Sequence, residues 1–127
     1  MAQKKFLLIV DHGSRRAEAG DFTQELADRV DAQRPSWNVR VAHLEIQRPD
    51  IATGIDNCVA EGASEIIIQP FFLLPGRHTQ EDIPAIARAA EERHPDCPIR
   101  IDQVIGQDEQ IAKILVRRTD ALLNKAK

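Results

Sequence analysis

Two of the four histidines in this chain fall in loops whose neighbours suit them for chemistry. His12 opens the run His12-Gly13-Ser14-Arg15-Arg16, just after the apolar stretch Lys5 to Val10. His78 stands near the end of Pro70-Phe71-Phe72-Leu73-Leu74-Pro75-Gly76-Arg77-His78-Thr79, which continues the apolar stretch Glu65 to Phe71. Glu45 closes a third such stretch, Val39 to Glu45. Two imidazoles and a carboxylate form an ordinary donor set for a borderline divalent cation such as cobalt, iron, nickel or zinc. Each piece alone has a plainer reading. His12 fits a loop histidine bonded to backbone, His78 a turn residue beside Gly76, and Glu45 a solvated charge or a helix-cap partner. Only their convergence would make a metal or catalytic site.

His12-Gly13-Ser14-Arg15 also invites an anion reading, because small residues after a strand can turn backbone N–H groups toward a phosphate. The loop is too poor in glycine for a P-loop and lacks its Lys-Ser/Thr ending. No dinucleotide fingerprint is present, and Ser14 lacks the setting of a nucleophile elbow. A phosphate-ester enzyme using His12 stays a distant alternative. The other histidines read as structural. His94, before Pro95, fits a helix end. His43, two residues before Glu45, shares its strand face but lies deeper, where a satisfied core histidine is expected.

Whether His12, Glu45 and His78 meet depends on the elements carrying them. Lys5 to Val10, Val39 to Glu45, Glu65 to Phe71 and Ile99 to Val104 are short and nearly continuously apolar, as strands covered on both faces are. Helical periodicity fills the gaps. Phe22, Leu26 and Val30 recur every four residues, as do Ile51, Ile55 and Val59, with Gly62 placed to end that helix. Ile83, Ile86, Ala87 and Ala90 line a third helix, expected to begin near Asp82 so that Pro84 falls in its first turn. Ile111, Ile114, Leu115 and Leu122 mark a fourth, with Asp108 as N-cap. Strand–helix alternation four times over predicts one three-layer α/β domain over residues 1–127, a four-stranded parallel sheet of order 2-1-3-4 with helices on both faces. Ligands of such sheets bind beyond the carboxyl ends of the strands, at the reversal of strand order. That edge carries His12, Glu45 and His78.

Composition narrows the partners. The net charge of −3 argues against nucleic acid or an anionic membrane, both of which need a basic excess. No apolar run approaches the ~20 residues of a membrane helix. The six-residue run at the start reads as a buried strand rather than a signal peptide. Cys58 and Cys97 carry no pairing or zinc spacing and read as reduced thiols of a cytoplasmic protein.

The sequence resembles the sirohydrochlorin chelatases of the CbiX type. His12-Gly13-Ser14-Arg15 is similar to their opening motif, and Pro70-Phe71-Phe72-Leu73-Leu74-Pro75-Gly76-Arg77-His78-Thr79-Gln80-Glu81-Asp82-Ile83-Pro84 to their longer second one. His43-Leu44-Glu45 with Pro49 fits their second-strand ending, and the resemblance covers essentially the whole chain. It implies a chelatase-like fold and insertion of a divalent metal, as substrate and not as a resident cofactor, into a sirohydrochlorin-type tetrapyrrole. Cobalt is expected first, iron next and nickel last, since the histidine-rich insert of some nickel-handling relatives is missing. The product would serve cobalamin or sirohaem formation. His12 and His78 match the family's metal-binding histidines and Glu45 its glutamate, as ligand, base or both. Arg15, Arg16 and Arg77 would pair with the substrate's carboxylates, with Ser14 and Thr79 as further substrate contacts and Phe71 to Leu74 as an apolar wall, at least two of these four going to the core. A single-domain chain resembles the short form, which works as a homodimer. Two departures from the pattern, Asp11 before His12 and the stiff, basic Pro75-Gly76-Arg77, bear on metal and substrate preference. A carrier binding metal or tetrapyrrole without turnover would use the same ligands.

Overall fold

The structure of the protein, a computed structural model, describes residues 3–125, with the backbone alone for residues 17–20. Four parallel strands, β1 (Lys5–Asp11), β2 (Asn38–His43), β3 (Glu65–Pro70) and β4 (Ile99–Ile101), lie in the order β2-β1-β3-β4, as the alternation predicts. Helices α1 (Ala17–Gln33), α2 (Ile51–Ala60), α3 (Ile83–Arg93) and α4 (Gln110–Leu123) follow them in turn. Asp11 stands opposite His43, and Val10 opposite Pro70, so three strands end on one edge.

Local chemistry sets the boundaries. Asp50 caps α2 by accepting the Thr53 N–H at 2.8 Å, and that bond holds its carboxyl below the usual range. Gly62, at φ +99°, ends the helix as expected. β2 stops two residues before Glu45, because Ile46 turns the chain with a positive φ of 73°. β4 stops at Ile101, where Asp102 Oδ1 accepts the next N–H and turns the chain. The third helix begins at Ile83 with Asp82 before it and Pro84 in its first turn, as expected, but it does not begin from a loop. A π-helical turn, His78–Asp82, runs directly into α3, with Ile83 N–H donating to the His78 carbonyl. Pro84 has no N–H to offer the Gln80 carbonyl and crowds it, and a wider turn relieves both conflicts. α4 starts at Gln110, whose N–H Asp108 still accepts from outside the helix.

The sheet is covered unevenly. On one face Phe6, Leu8, Val10, Ile66 and Ile68 pack against Ile51, Ile55 and Cys58 of α2 and Ile83, Ala87 and Ala90 of α3. On the other, α1 covers Leu7, Ile9 and Val39 with Ala27 at the centre, and Ile67 and Phe71 of the β3 segment remain only half-buried. The α1 stripe is also rotated from the one expected: Thr23 and Ala27 are buried, whereas Phe22 is 60 % exposed. α4 departs most, since none of its residues is buried. Its apolar periodicity does not pack on its own sheet.

Candidate functional site

The strand-end loops bring His12 to the centre of a small group. Its Nε2 lies 3.4 Å from Glu45 Oε1, its ring centroid 5.5 Å from that of His78, and its edge meets Phe72 at 6.4 Å. Gly13 makes the first contact possible. At φ +95° it sits so close to the neighbouring loop that a Cβ there would lie 1.8 Å from the Glu45 carbonyl oxygen. Glu45 N–H donates to the His12 carbonyl at 3.1 Å, and Ser14 N–H to Gln47 Oε1 at 3.0 Å, so the loops after β1 and β2 are stitched together. Between them Ile46 forms a γ-turn of the rare positive-φ kind, closed by Gln47 N–H to the Glu45 carbonyl at 2.8 Å. That strained conformation is held by the bonds on either side of it. A cavity of about 600 Å³ opens here, lined by Leu44 to Asp50 and Thr53.

His78 arrives from the other flank on the π-helical turn. Its Nδ1–H donates to Asp82 Oδ2 at 2.8 Å, one turn on, leaving Nε2 as the lone-pair nitrogen that can face a cation. Asp82 is an orienting residue that sequence reasoning did not assign; its four-residue spacing from His78 was the available signal. All four side chains, His12, Glu45, His78 and Asp82, stand about half open to solvent. The expected convergence is partial. His12 links Glu45 to His78, yet among the described residues no three His, Cys, Asp or Glu side chains close into a set that could hold an ion. The reason is pairing: Glu45 leans on His12, and Asp82 holds His78.

Behind this edge lies a second network, built on His43, which is the satisfied core histidine expected of it. His43 is buried and its Nδ1–H donates to Asp11 Oδ1 at 2.5 Å, while Thr23 Oγ1 donates to Asp11 Oδ2 at 2.6 Å. Asp11, read as a departure from the family pattern, thus ties the end of β1, next to His12, to β2 and α1. His94 ends α3, with its N–H on Ala90 and its Nε2–H on Asp56 at 2.7 Å, as the reading of a helix-end histidine anticipates. Burial pushes the Asp56 carboxyl up, but the bonds from Arg93 and His94 outweigh it and hold it below the usual range.

The expected substrate contacts divide. Arg15 and Arg16 are exposed where the chain enters α1, and Arg77 is exposed beside Glu81 at 3.7 Å. Ser14 and Thr79 are occupied locally. Ser14 Oγ accepts the Arg16 N–H at 3.1 Å, and Thr79 Oγ1 accepts from Gly76 N–H and donates to its carbonyl. Leu73 and Leu74 are 67 % and 80 % exposed, whereas Phe71 and Phe72 pack toward opposite cores, so two of the four residues go inward as expected. Gly106 was not anticipated as structural. A Cβ there would lie 1.7 Å from the Leu73 carbonyl oxygen, so glycine alone lets the loop below the site seat.

Comparison with known proteins agrees with this architecture. The CbiX family model matches residues 6–122. The sirohydrochlorin cobaltochelatase of Priestia megaterium is 34 % identical over 118 residues, which are 90 % of this chain and 37 % of that protein. The sirohydrochlorin chelatase SirB from Bacillus subtilis subspecies spizizenii, solved in complex with cobalt, superposes with a TM-score of 0.83 at 32 % identity, over 94 % of this chain and 51 % of that one. A CbiX protein of Marinobacter aquaeolei VT8 shares the fold at a TM-score of 0.82 and 23 % identity, over 96 % of this chain and 99 % of that one. The chain spans about two fifths of the length of the curated relatives it matches first.

Proposed function

The chain belongs to the CbiX family, and from that premise we propose that it inserts a divalent metal into a sirohydrochlorin-type tetrapyrrole, cobalt first and iron second, for cobalamin or sirohaem formation. One observation carries the reading. His12 and His78 stand ring to ring at 5.5 Å on the strand-end edge, with Glu45 at 3.4 Å from the first. Residues 1–127 act as one chelatase-like domain in this reading, two copies of which work together. The cytoplasm is the proposed compartment, supported by two free, buried cysteines. No helix among the described residues is long and apolar enough to cross a membrane.

The metal is cargo and must leave, and a half-open set of donors suits that better than a closed cage. His12 and His78, as neutral imidazoles, receive the cation on one side of the macrocycle. Asp82 fixes the His78 tautomer so that Nε2 is the donor. Two pyrrole N–H protons must depart as metal enters; Glu45 is the carboxylate placed to accept one, and the other passes to solvent at this half-open edge. Such general-base help is worth roughly 10²–10⁴-fold in rate. Phe72, Leu73 and Leu74 supply an apolar surface beside His12. Arg15, Arg16 and Arg77 are the guanidinium groups available to the substrate's carboxylates, which they match with paired hydrogen bonds. Ser14 and Thr79 contribute by holding their loops as well as by any substrate contact.

The test follows the absorbance change as protein, sirohydrochlorin and Co²⁺ or Fe²⁺ are mixed, with substrate in large excess. Many turnovers per chain are expected, where a carrier would stop near one equivalent. His12→Ala and His78→Ala variants that insert metal as fast as the parent would refute the assignment.

A further inference from the structure

Ile46 breaks two rules at once. It is a β-branched residue held at φ 73°, where an L side chain crowds its own backbone and where glycine or asparagine is the usual occupant. It is also 57 % exposed, an apolar side chain standing in solvent beside the carboxylate of Glu45. It packs into neither of the two cores that line the sheet faces. On conformation and solvation alone, glycine suits this position better.

The turn does not need the isoleucine. Gln47 N–H closes it on the Glu45 carbonyl at 2.8 Å, and Glu45 N–H reaches the His12 carbonyl at 3.1 Å. Ser14 N–H holds the Gln47 side chain at 3.0 Å from the neighbouring loop. These bonds use backbone groups and the Gln47 amide, so they impose a positive φ on whatever residue stands between. Strain of this kind concentrates at binding sites, where a local rule is broken for a contact made with something else.

The place of Ile46 in the fold says what that contact is. In the strand order β2-β1-β3, the loops after β2 and β3 flank the loop after β1, which carries His12. Ile46 stands on one flank, and Leu73 and Leu74, 67 % and 80 % exposed, stand on the other. Two strand spacings separate the flanks at the sheet edge, roughly 10 Å, about the breadth of a tetrapyrrole ring. Ile46 also lines the cavity of about 600 Å³ together with Glu45 and Arg48. A carboxylate, an apolar side chain and a guanidinium in one opening match the inner N–H groups, the apolar ring and the outer carboxylates of such a macrocycle. Resting on the metal-insertion reading, we propose that Ile46 is a contact residue for the tetrapyrrole. Its side chain seats the ring on the flank opposite Leu73 and Leu74, and the strained turn holds it out there while keeping Glu45 against His12.

Turn and side chain can be separated by experiment. Ile46→Gly keeps the turn, since glycine adopts positive φ as readily as negative, and deletes the contact alone. Its thermal unfolding midpoint should not fall below the parent's, and its Co²⁺ affinity by titration calorimetry should match the parent's. Its affinity for metal-free sirohydrochlorin, read from the absorbance of the tetrapyrrole, should fall about 5–15-fold, the effect of covering the 57 % of an isoleucine now open to solvent. Ile46→Leu keeps the apolar surface and should bind sirohydrochlorin as the parent does. Equal binding by Ile46→Gly and the parent overturns the inference and leaves the metal-insertion reading standing. So does Ile46→Leu binding no better than Ile46→Gly. A loss of thermal stability or of Co²⁺ affinity in Ile46→Gly also overturns it, because the side chain would then be a prop of its own loop. A parent that binds no sirohydrochlorin overturns both the inference and the reading beneath it.

Discussion

Three glycines separate backbone strain from steric contact, and their alanine variants test how the His12 loop is built. Gly76 has no atom within 4 Å of an added Cβ and no positive φ. Gly62 sits at φ +99° with only the flexible Lys4 side chain near, at 3.5 Å. Gly13 combines φ +95° with a Cβ position 1.8 Å from the Glu45 carbonyl oxygen. Gly76→Ala should therefore be neutral or stabilise by up to about 1 kcal/mol through the unfolded chain. Gly62→Ala should cost about 1–2 kcal/mol, the penalty for a Cβ in the left-handed region. Gly13→Ala bears that penalty plus an overlap that forces the two loops apart, another ~1–3 kcal/mol, for about 2–5 kcal/mol in all. That is a large part of the ~5–15 kcal/mol typical of a domain. Chemical denaturation of the three variants measures the series. Isothermal titration with Co²⁺ should also find Gly13→Ala weakened, because the displaced strand end carries Glu45 away from His12. If Gly13→Ala is no less stable than Gly62→Ala, the contact with Glu45 does not shape the loop and the reasoning fails.

Asp82→Asn should lower Co²⁺ affinity about 10–100-fold by titration calorimetry, the usual cost of losing a carboxylate behind a metal-binding histidine, with thermal stability nearly unchanged. The Arg40 guanidinium, bonded at 2.6 Å, holds the Glu61 carboxyl below the usual carboxylate range. A depressed folded pKa contributes stability above the unfolded value, near ~4.3, that is lost as pH falls through the folded one. Glu61→Gln should therefore flatten the acid limb of a stability–pH curve below that range and leave its shape near neutrality unchanged. Burial pushes the Cys58 thiol up to about 12, so iodoacetamide at mildly alkaline pH should label it only after unfolding; rapid labelling of the native chain would contradict its place in the core.

Periodicity was enough to find the strands, because a buried parallel strand must be apolar along its length, and their order is the common start of a doubly wound sheet. It located the edge where His12, Glu45 and His78 emerge for the same reason. It read less well wherever two elements compete for one stripe. Phe22 continues the four-residue rhythm of α1, yet the helix turns Thr23 and Ala27 inward, since Asp11 at the end of β1 needs the Thr23 hydroxyl. Pro84 signalled the start of α3 correctly, and only the wider turn from His78 that leads into it carried no periodic signal.

The residue types of the site, their loops and their common edge were fixed by the linear order of the chain, because donor chemistry and strand periodicity are local properties. Tertiary structure alone decided how far the donors converge. That Glu45 leans on His12, that Asp82 takes one nitrogen of His78, and that Gly13 and Gly106 admit neighbouring carbonyls all depend on backbones meeting from distant parts of the chain. The fate of α4 belongs there too. An apolar periodicity states that a helix must be covered, and only the packed fold shows that its own sheet is not what covers it.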